Sequence, residues 1–436
     1  MRQFRALVNS LLCCCILFVL VPFTTVESAG ASLFVAPGAP PSGSCTRDQP
    51  CDFRYAAEMV ASEGDVIYAL SGTYTSLDAS AVHLLYLHKS LELYGSCYFN
   101  ATTPVSCDTS LKDSFLDGEN NRRVITVMGL GTERVHIEGF TILHGNATAM
   151  GPSGCPTFFG SVDGCGGGIY AKNLQNLTLE NVTLFHNAGG DNGGLGGGLY
   201  AEDINFLAIE TATFRKNNAA LSGRGVGGGA FILDAGHQNP VIFKENLVDG
   251  NETGSEHDDF GAGLFIFESN GVQILNNHFQ NNNQANRRLI SGSSIFFGSG
   301  SNLLIEHNQI EGDWGASAVQ LDGREGAVSG FVERNSWFNN SVNNNFEIRG
   351  PVTAKVENNF FGFRTPITLS MTRGGASINS YITGDCSNPV RYANVDFLFN
   401  TFAAADYGIW VNECSNVNVY NNIFTGILLI INNNIS

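Results

Sequence analysis

A short glycine-rich motif recurs through the middle of the chain and limits the fold more strongly than any other feature. The motif runs Gly-Gly-Gly-apolar, and its first two copies lie thirty residues apart. Several of the units that it opens close on a second motif, Phe-x-x-Asn. The clearest copies are Gly166-Gly-Gly-Ile169, Gly196-Gly-Gly-Leu199 and Gly227-Gly-Gly-Ala230, with closings Phe214-Arg-Lys-Asn217 and Phe279-Gln-Asn-Asn282. This period predicts a stacked repeat protein, in which each unit buries its apolar face against its neighbours.

The spacing inside a unit distinguishes between repeat folds. A second apolar segment starts eight residues after the opening residue, as in Ile169 to Leu177 and Leu264 to Val272. A closing residue follows near position fifteen or sixteen, as at Phe185 and Phe279. Three short β-rich segments with no helix between them exclude a βαβ array and fit coils stacked at roughly 4.8 Å. The sequence therefore predicts an all-β fold, a single-stranded right-handed parallel β-helix.

The repeat also predicts which side chains stack. The opening apolar residues should form one core ladder, because each strand sends alternate side chains inward. The closing phenylalanines should form another ladder. The asparagine after them is expected at a tight turn, since asparagine tolerates a left-handed backbone. The opening ladder is predicted to comprise Ile169, Leu199, Ala230, Leu264 and Ile295.

The first residues have the features of an export signal. Arg2 and Arg5 supply the positive start, and Leu11 to Val21 supply an apolar run that is short for a membrane-spanning helix. We therefore expect residues 1–30 to be a removed signal peptide.

The rest of the chain divides into a cap and a solenoid. Residues 31–75 are expected to form an N-terminal helix and strand cap, because Phe53 to Ala61 has helical spacing and a stacked array needs cover at its end. Residues 76–436 would form the β-helix. Its last coil, starting at Ile427, is incomplete, so we expect a longer native chain or a partner that covers this end.

The motifs resemble those of a known superfamily. The glycine openings and Phe-x-x-Asn closings resemble the repeats of polymorphic outer-membrane proteins and of the wider pectin-lyase-like β-helix superfamily. Leu33-Phe-Val35 and Glu63 to Tyr74 resemble the N-terminal cap of many bacterial surface proteins of this kind. The resemblance implies a right-handed parallel β-helix over most of the chain. It implies little about activity, because one fold hosts many functions.

Composition and charge narrow the range of partners. The chain is 43% hydrophobic and 14% charged, which suits a packed core and excludes a disordered chain. Its formal net charge of −17 opposes binding to nucleic-acid phosphate and to anionic lipid. We expect no nucleic-acid partner and no stable membrane insertion after signal removal. The expected location is secreted or at the cell surface, with a polysaccharide or a cell-surface glycan as partner.

Eight cysteines follow the predicted signal peptide as four pairs of close neighbours. Eight cysteines allow 105 pairings, so proximity is a guide only. Zinc binding is disfavoured, because no pair has the two-residue spacing of a zinc knuckle. Each neighbouring pair would instead close a short loop in an oxidising compartment. The predicted disulfides are Cys45–Cys51, Cys97–Cys107, Cys155–Cys165 and Cys386–Cys414.

Enzymes of the pectin-lyase-like superfamily cleave acidic polysaccharides, but their catalytic motifs are not recognisable here. The Asp-Pro-His-Asp element of alginate epimerases is missing. Of the polygalacturonase pattern, Asp258-Asp259 is present, whereas Gly236-His237-Gln238 breaks the histidine element. Asp258, Asp259 and His257 remain weak candidates for a catalytic site.

Long loops join the closing of one unit to the opening of the next. They should leave the same corner of each coil and stack into one acidic shelf. Asp191, Glu256 and Asp258 on these loops are candidate ligands for Ca²⁺, which prefers oxygen ligands. The other interpretation is a set of solvated loops, and no other cofactor is expected.

An aromatic residue follows the ladder residue in several units. These residues are Tyr170, Tyr200, Phe231, Phe265 and Phe297. Alternation along the strand predicts that they face outward, as a strip that stacks on sugar rings. If they face inward instead, they belong to the core.

These observations favour an exported, non-catalytic surface or adhesion module that binds glycans along the aromatic strip. The rival function is a polysaccharide lyase or glycoside hydrolase acting at Asp258 and Asp259. A third alternative is a structural stalk from a longer protein.

Overall fold

The fold is seen in a computed structural model. It describes residues 30–99, 105–148, 154–156, 162–254, 259–283, 292–338, 340–362, 374–379, 393–403, 407–411, 415–426 and 429–433. The signal-peptide prediction for residues 1–30 falls almost entirely outside this part of the chain.

The chain winds through three longitudinal sheets, and a regular coil contributes one strand to each. Sheet A contains the opening strands, sheet B the middle strands and sheet C the closing strands. Neighbouring strands in each sheet come from successive coils and pair in parallel, as Ile169 does with Leu199 and Leu184 with Phe214. This arrangement confirms the prediction of an all-β parallel β-helix. Its right-handed sense, which the resemblance implies, stays a prediction.

Sheets A and B are joined, because two strands run through both and create one 24-stranded sheet. The strands of sheet A are His83–Leu87, Arg123–Met128, Ile169–Glu180, Leu199–Glu210, Ala230–Ala235, Leu264–Phe267, Ile295–Gly298, Trp314–Asp322, Ser341–Arg349, Gly374–Asn379, Tyr407–Val411 and Leu429–Asn433. Sheet B takes the second halves of Ile169–Glu180 and Leu199–Glu210. Its other strands are Ser32–Val35, Asp65–Leu70, Leu91–Tyr98, Arg134–Glu138, Val241–Lys244, Val272–Leu275, Gly300–Glu306, Val328–Glu333, Val352–Glu357, Ala393–Leu398 and Ser415–Tyr420.

Sheet C has twelve strands. They are Gly72–Tyr74, Ser114–Asp117, Phe140–Leu143, Thr183–Phe185, Thr213–Arg215, Leu247–Asp249, His278–Gln280, Gln309–Glu311, Ser336–Phe338, Phe360–Gly362, Thr401–Ala403 and Ile423–Thr425. Short strands lie in the connections: Ser106–Cys107, Gly164–Cys165, Ala188–Gly190, Gly193–Leu195, Asn218–Ala220 and Arg224–Val226.

The core is a set of in-register ladders. Ile169, Leu199, Ala230, Leu264 and Ile295 pair in sequence along sheet A, and all five are buried. The predicted opening ladder is confirmed.

The closing ladder differs from the prediction in one coil. Leu184, not Phe185, pairs with Phe214 and lies in the core. Phe185 pairs with the exposed Arg215 instead and is only half-buried. The reason is a closing strand that runs Leu-Phe-His-Asn, so the inward position falls three residues before the asparagine, as it does at Phe214.

The closing asparagines point inward and form a ladder of their own. The side-chain amide of Asn187 donates to Oδ1 of Asn217 at 3.0 Å, and that of Asn217 donates to Oδ1 of Asn251 at 3.1 Å. The left-handed residue at this turn is the preceding one, with φ of 53° at His186 and 52° at Lys216. The prediction of a left-handed asparagine was therefore wrong by one position.

This first ladder continues through later coils, where Asn282 is followed by Asp313 and Asn340. A second asparagine ladder lies between sheets B and C, with amide-to-amide bonds of 2.9–3.0 Å between successive coils. Its rungs are Asn246, Asn277, Asn308, Asn335, Asn359, Asn400 and Asn422. These bonds satisfy buried amides and fix the register of the coils.

A short helical segment lies near the N-terminal end, as Phe53–Tyr55 followed by a π-helical turn at Ala56–Val60. Asp52 caps it by accepting a 2.9 Å hydrogen bond from Tyr55 N. The ring of Phe53 is buried, and its centroid lies 5.9 Å from that of the Phe140 ring in sheet C. The parallel sheets already include Ser32–Val35, so the boundaries 31–75 for a separate cap remain a prediction.

Three predicted disulfides are present: Cys45–Cys51, Cys97–Cys107 and Cys155–Cys165. The fourth pair, Cys386 and Cys414, lies outside the described residues. Within the described part of the chain, no helix has the length and apolarity to span a bilayer.

Candidate ligand pocket on the outer face of sheet A

The predicted aromatic row exists on the outer face of sheet A. Tyr170 stacks on Tyr200 with ring centroids 5.2 Å apart, Tyr200 stacks on Phe231 at 5.2 Å, and Phe231 stacks on Phe265 at 4.9 Å. The planes of these rings are inclined by 7° to 11°, and the parallel register places each ring opposite the ring of the next coil.

The fifth ring of the row is Phe296, which stacks on Phe265 at 4.7 Å. The assignment of Phe297 to the row was wrong. Phe297 pairs with Ile266 and lies in the core. Since Ile295 faces inward, its immediate neighbour faces outward and the next residue returns inward.

The outward direction is confirmed, but the row is not exposed. Tyr170, Tyr200, Phe231 and Phe265 keep at most 2% of their surface in contact with solvent. The loops between closing and opening strands cover the rings and create a second apolar cluster outside the coil. The covering residues are Cys155, Val162, Cys165, Leu195, Val226 and Phe260. An exposed strip for sugar stacking along these four rings is therefore a prediction that the structure corrects.

A buried arginine closes the N-terminal end of the row. The guanidinium carbon of Arg123 lies 4.4 Å from the centroid of the Tyr170 ring. Its Nε donates to Gly166 O at 3.0 Å and its Nη2 donates to Cys165 O at 2.5 Å. Burial lowers the pKa of Arg123 to about 10, so it stays charged at neutral pH. The pair is a buried cation–π contact.

At its other end the row opens into a pocket of about 530 Å³. Its lining residues are Arg224, Phe260, Phe265, Phe267, Glu268, Phe296, Asp322, Arg324 and Glu325. Phe267 and Phe296 supply the floor, and Phe260 contributes a wall, with its ring 5.0 Å from that of Phe296. Gly298 leaves room for the floor, since a Cβ there would lie 2.9 Å from Cδ2 of Phe267.

The rim of the pocket is polar and carries both charges. Arg324 binds Asp322 with two nitrogens, and Nε lies 2.9 Å from Oδ1. Gln320 donates to the second oxygen of Asp322 at 3.0 Å. The bonds to Asp322 raise the pKa of Arg324, whose side chain is still 40% exposed. Together with Glu268 and Glu325, these groups can bond hydroxyls or a charged substituent.

Of the three weak catalytic candidates, Asp259 lies within the described residues. Asp259 is buried, and its two oxygens accept hydrogen bonds from Gly225 N at 3.0 Å and from Gly254 N at 3.1 Å. Burial raises the pKa of Asp259 to about 6. This carboxyl ties two loops together. His257 and Asp258 lie outside the described residues.

The calcium candidates give no described site either. Asp191 accepts a 3.1 Å hydrogen bond from Nδ2 of Asn146, and Glu256 and Asp258 lie outside the described residues. Two other groups of histidine and acidic residues bring possible ligand atoms within 4.8 Å of one another, and neither group was predicted from the sequence. They are His136, Glu138 and Glu180 on sheet B, and Asp203, Asp234 and His237 at the turn that follows sheet A.

The strand pairing and the pocket define a parallel β-helix protein with a lateral, aromatic-floored cavity. The chain matches no protein-family model and no curated protein. Among solved structures it is similar to the A-module of a mannuronan C-5 epimerase from Azotobacter vinelandii, at 13% identity and a TM-score of 0.38, with 92% of this chain and 89% of the other covered. It is also similar to a surface adhesin of Streptococcus pneumoniae, at 13% identity and a TM-score of 0.45, with 91% and 93% covered.

Proposed function

We propose that this protein is an exported surface module that binds a glycan in the pocket at the end of the aromatic row. The observation that carries the proposal is the pairing of an apolar aromatic floor, Phe267 and Phe296, with a charged rim. A sugar ring presents a C–H face that packs on an aromatic ring, and its hydroxyls bond carboxylates and guanidinium groups at the edge.

The size of the pocket supports a small ligand or the end of a longer one. Its volume of about 530 Å³ lies within the range typical of small-molecule sites, roughly 300–1,000 Å³. The pocket is also held by stacked strands rather than by loops alone, because Phe265, Phe267 and Phe296 belong to sheet A. A rigid floor reduces the entropy lost on binding.

Export is supported by the three disulfides, which persist in oxidising compartments and are rare in the cytosol. The formal net charge of −17 favours a neutral or locally paired ligand over a polyanion. The proposal is binding without cleavage, since Asp259, the described member of the catalytic candidates, is sequestered in loop hydrogen bonds.

A glycan array probed with the intact secreted protein tests the proposal, and retained binding to defined oligosaccharides is the expected result. The same oligosaccharides are then incubated with the protein, with and without Ca²⁺, and the products are analysed by mass spectrometry. Intact recovery agrees with a binding module. Release of shorter or unsaturated products would instead make the protein a lyase or hydrolase.

A further inference from the structure

A groove of about 450 Å³ lies on the outer face of sheet B in the later coils, away from the sheet A pocket. It shares no lining residue with that pocket. The lining comprises Asn302, Ser329, Gly330, Phe331, Thr353, Ala354, Lys355, Asn394, Val395, Asp396, Asn416 and Asn418.

Strand register arranges the side chains of this groove into two parallel rows, each spanning four successive coils. The first row is Ser329, Thr353, Asn394 and Asn416. The second row is Phe331, Lys355, Asp396 and Asn418. Stacked strands lie roughly 4.8 Å apart, so each row presents one side chain at that interval along the helix axis, and every member except Phe331 is polar.

The amides in the rows are oriented by hydrogen bonds between coils. Nδ2 of Asn416 donates to Oδ1 of Asn394 at 2.9 Å, and Nδ2 of Asn418 donates to Oδ1 of Asp396 at 2.8 Å. An asparagine amide has two N–H groups and an accepting oxygen, so each bond uses only part of the capacity of the exposed Asn416 and Asn418. Oriented donors and acceptors therefore remain along the groove.

The groove is also lined by an exposed aromatic ring, and its lining side chains carry little net charge. Phe331 is 54% exposed, in contrast to the covered row on sheet A. Lys355 forms an ion pair with Glu357, and among the described residues that line the groove Asp396 alone carries a carboxylate. An exposed aromatic ring beside regularly spaced amides and hydroxyls is suited to stacking and hydrogen bonding rather than to ion pairing.

We propose that this groove binds an extended, uncharged oligosaccharide lying along the helix axis. One sugar ring packs on Phe331, and the hydroxyls of the following units bond Asn394, Asn416 and Asn418. A polymer of repeating units fits two rows of side chains at a regular spacing, because each coil offers at least one polar side chain to the groove. This groove would be a second glycan site in addition to the pocket on sheet A, and it depends on different residues.

The test uses titration calorimetry of the intact protein with neutral hexasaccharides of glucose and of mannose. Phe331→Ala is expected to weaken binding roughly fivefold to tenfold, as loss of one aromatic contact would. Asn418→Ala, at an exposed side chain, should weaken binding in the same direction without affecting the fold. Phe360→Ala, at a ring 43% exposed on sheet C, is the matched control and should bind like wild type.

The outcomes separate this proposal from the pocket proposal. Wild-type affinity in both Phe331→Ala and Asn418→Ala would overturn the groove site. Equal loss in Phe360→Ala would overturn it as well. If Phe267→Ala alone abolishes binding of the hexasaccharides, the groove proposal fails and the pocket proposal stands. If Phe331→Ala weakens binding of the hexasaccharides as expected while Phe267→Ala retains it, the groove carries the binding.

Discussion

The ring of Phe296 stacks on that of Phe265 at 4.7 Å, with the two planes inclined by 7°. Through this contact the row of five stacked aromatic rings, which loops cover, extends to the floor of a solvent-accessible pocket. The row gives the pocket a rigid base, because its rings are fixed by parallel strands on one side and by loops on the other. Changes along the row should therefore affect stability, whereas changes at its open end should affect binding.

Arg123 should be a stability residue. Replacing it with methionine removes the cation over Tyr170 and leaves Gly166 O and Cys165 O without their donor. We expect a loss of about 3 kcal/mol in the free energy of unfolding, measured by urea denaturation. Arg134→Met, at an exposed position on sheet B, is the control and should have little effect. Equal unfolding curves for the two variants would contradict this role.

Asp313 should make stability depend on pH. It replaces an asparagine in the first ladder and accepts hydrogen bonds from Ser293 and Ser294, which stand where other coils have glycine. Burial raises the pKa of Asp313 to about 7, above the value of about 4 for an unfolded aspartate. The folded state therefore holds the proton more tightly, and this stabilisation is lost as the pH rises from about 4 through about 7.

The measurement is the thermal midpoint of wild type and Asp313→Asn between pH 4 and pH 8. Asparagine restores an uncharged rung, so the variant should gain over wild type by a few degrees as the pH rises. Since Asp259 is present in both proteins, its own titration cancels in the difference. A difference that is constant with pH would contradict the account.

The Cys155–Cys165 disulfide should hold the cover of the row in place. Both cysteines pack in the outer apolar cluster with Tyr170 and Tyr200. A double Cys→Ser variant should lose about 3 kcal/mol of stability and expose backbone amides of residues 162–165 to hydrogen exchange. The same change at Cys45 and Cys51 should leave exchange at residues 162–165 unaltered. Unchanged protection in the first variant would show that the cover does not depend on this bond.

Substitution of Gly298 should change the shape of the pocket without altering the fold. Its backbone conformation accepts a side chain, but a Cβ would lie 2.9 Å from Phe267 Cδ2 and 3.0 Å from Phe296 Cε1. We expect Gly298→Ala to shift these rings and lower glycan affinity severalfold, with little change in the thermal midpoint. Affinity equal to that of wild type would mean that the floor rings do not contact the ligand.

Alternation and spacing predicted much of this structure. The opening ladder from Ile169 to Ile295 and the outward direction of Tyr170 follow from the two-residue period of a strand. The closing strand at Leu184 was misassigned because phenylalanine at the next position imitates the motif. The inward asparagine ladder was missed because local turn preference describes a residue's own backbone, whereas Asn187 is fixed by Asn217 in the next coil.

The site was harder to predict than the fold. Cover of the aromatic row depends on loops that pack across coils, which strand alternation does not describe. The sequence still held a signal for it, since the covering residues Leu195, Val226 and Phe260 each directly precede a glycine opening. The pocket joins Arg224 to Glu325 across about a hundred residues of chain, so neighbouring sequence gives no sign of it. The outward direction of Phe267 could have been predicted, since it lies two residues after Phe265 and therefore on the same outer face.

Calorimetric titration of an array-identified glycan into wild type and Phe267→Ala tests the central claim most directly. Phe399→Ala, at a ring 52% exposed on another part of the surface, is the control, and Arg324→Ala is a second pocket variant. If the pocket binds the glycan, Phe267→Ala and Arg324→Ala should each lower the affinity roughly tenfold while Phe399→Ala retains it. Wild-type affinity in both pocket variants, with folding intact, would contradict the account.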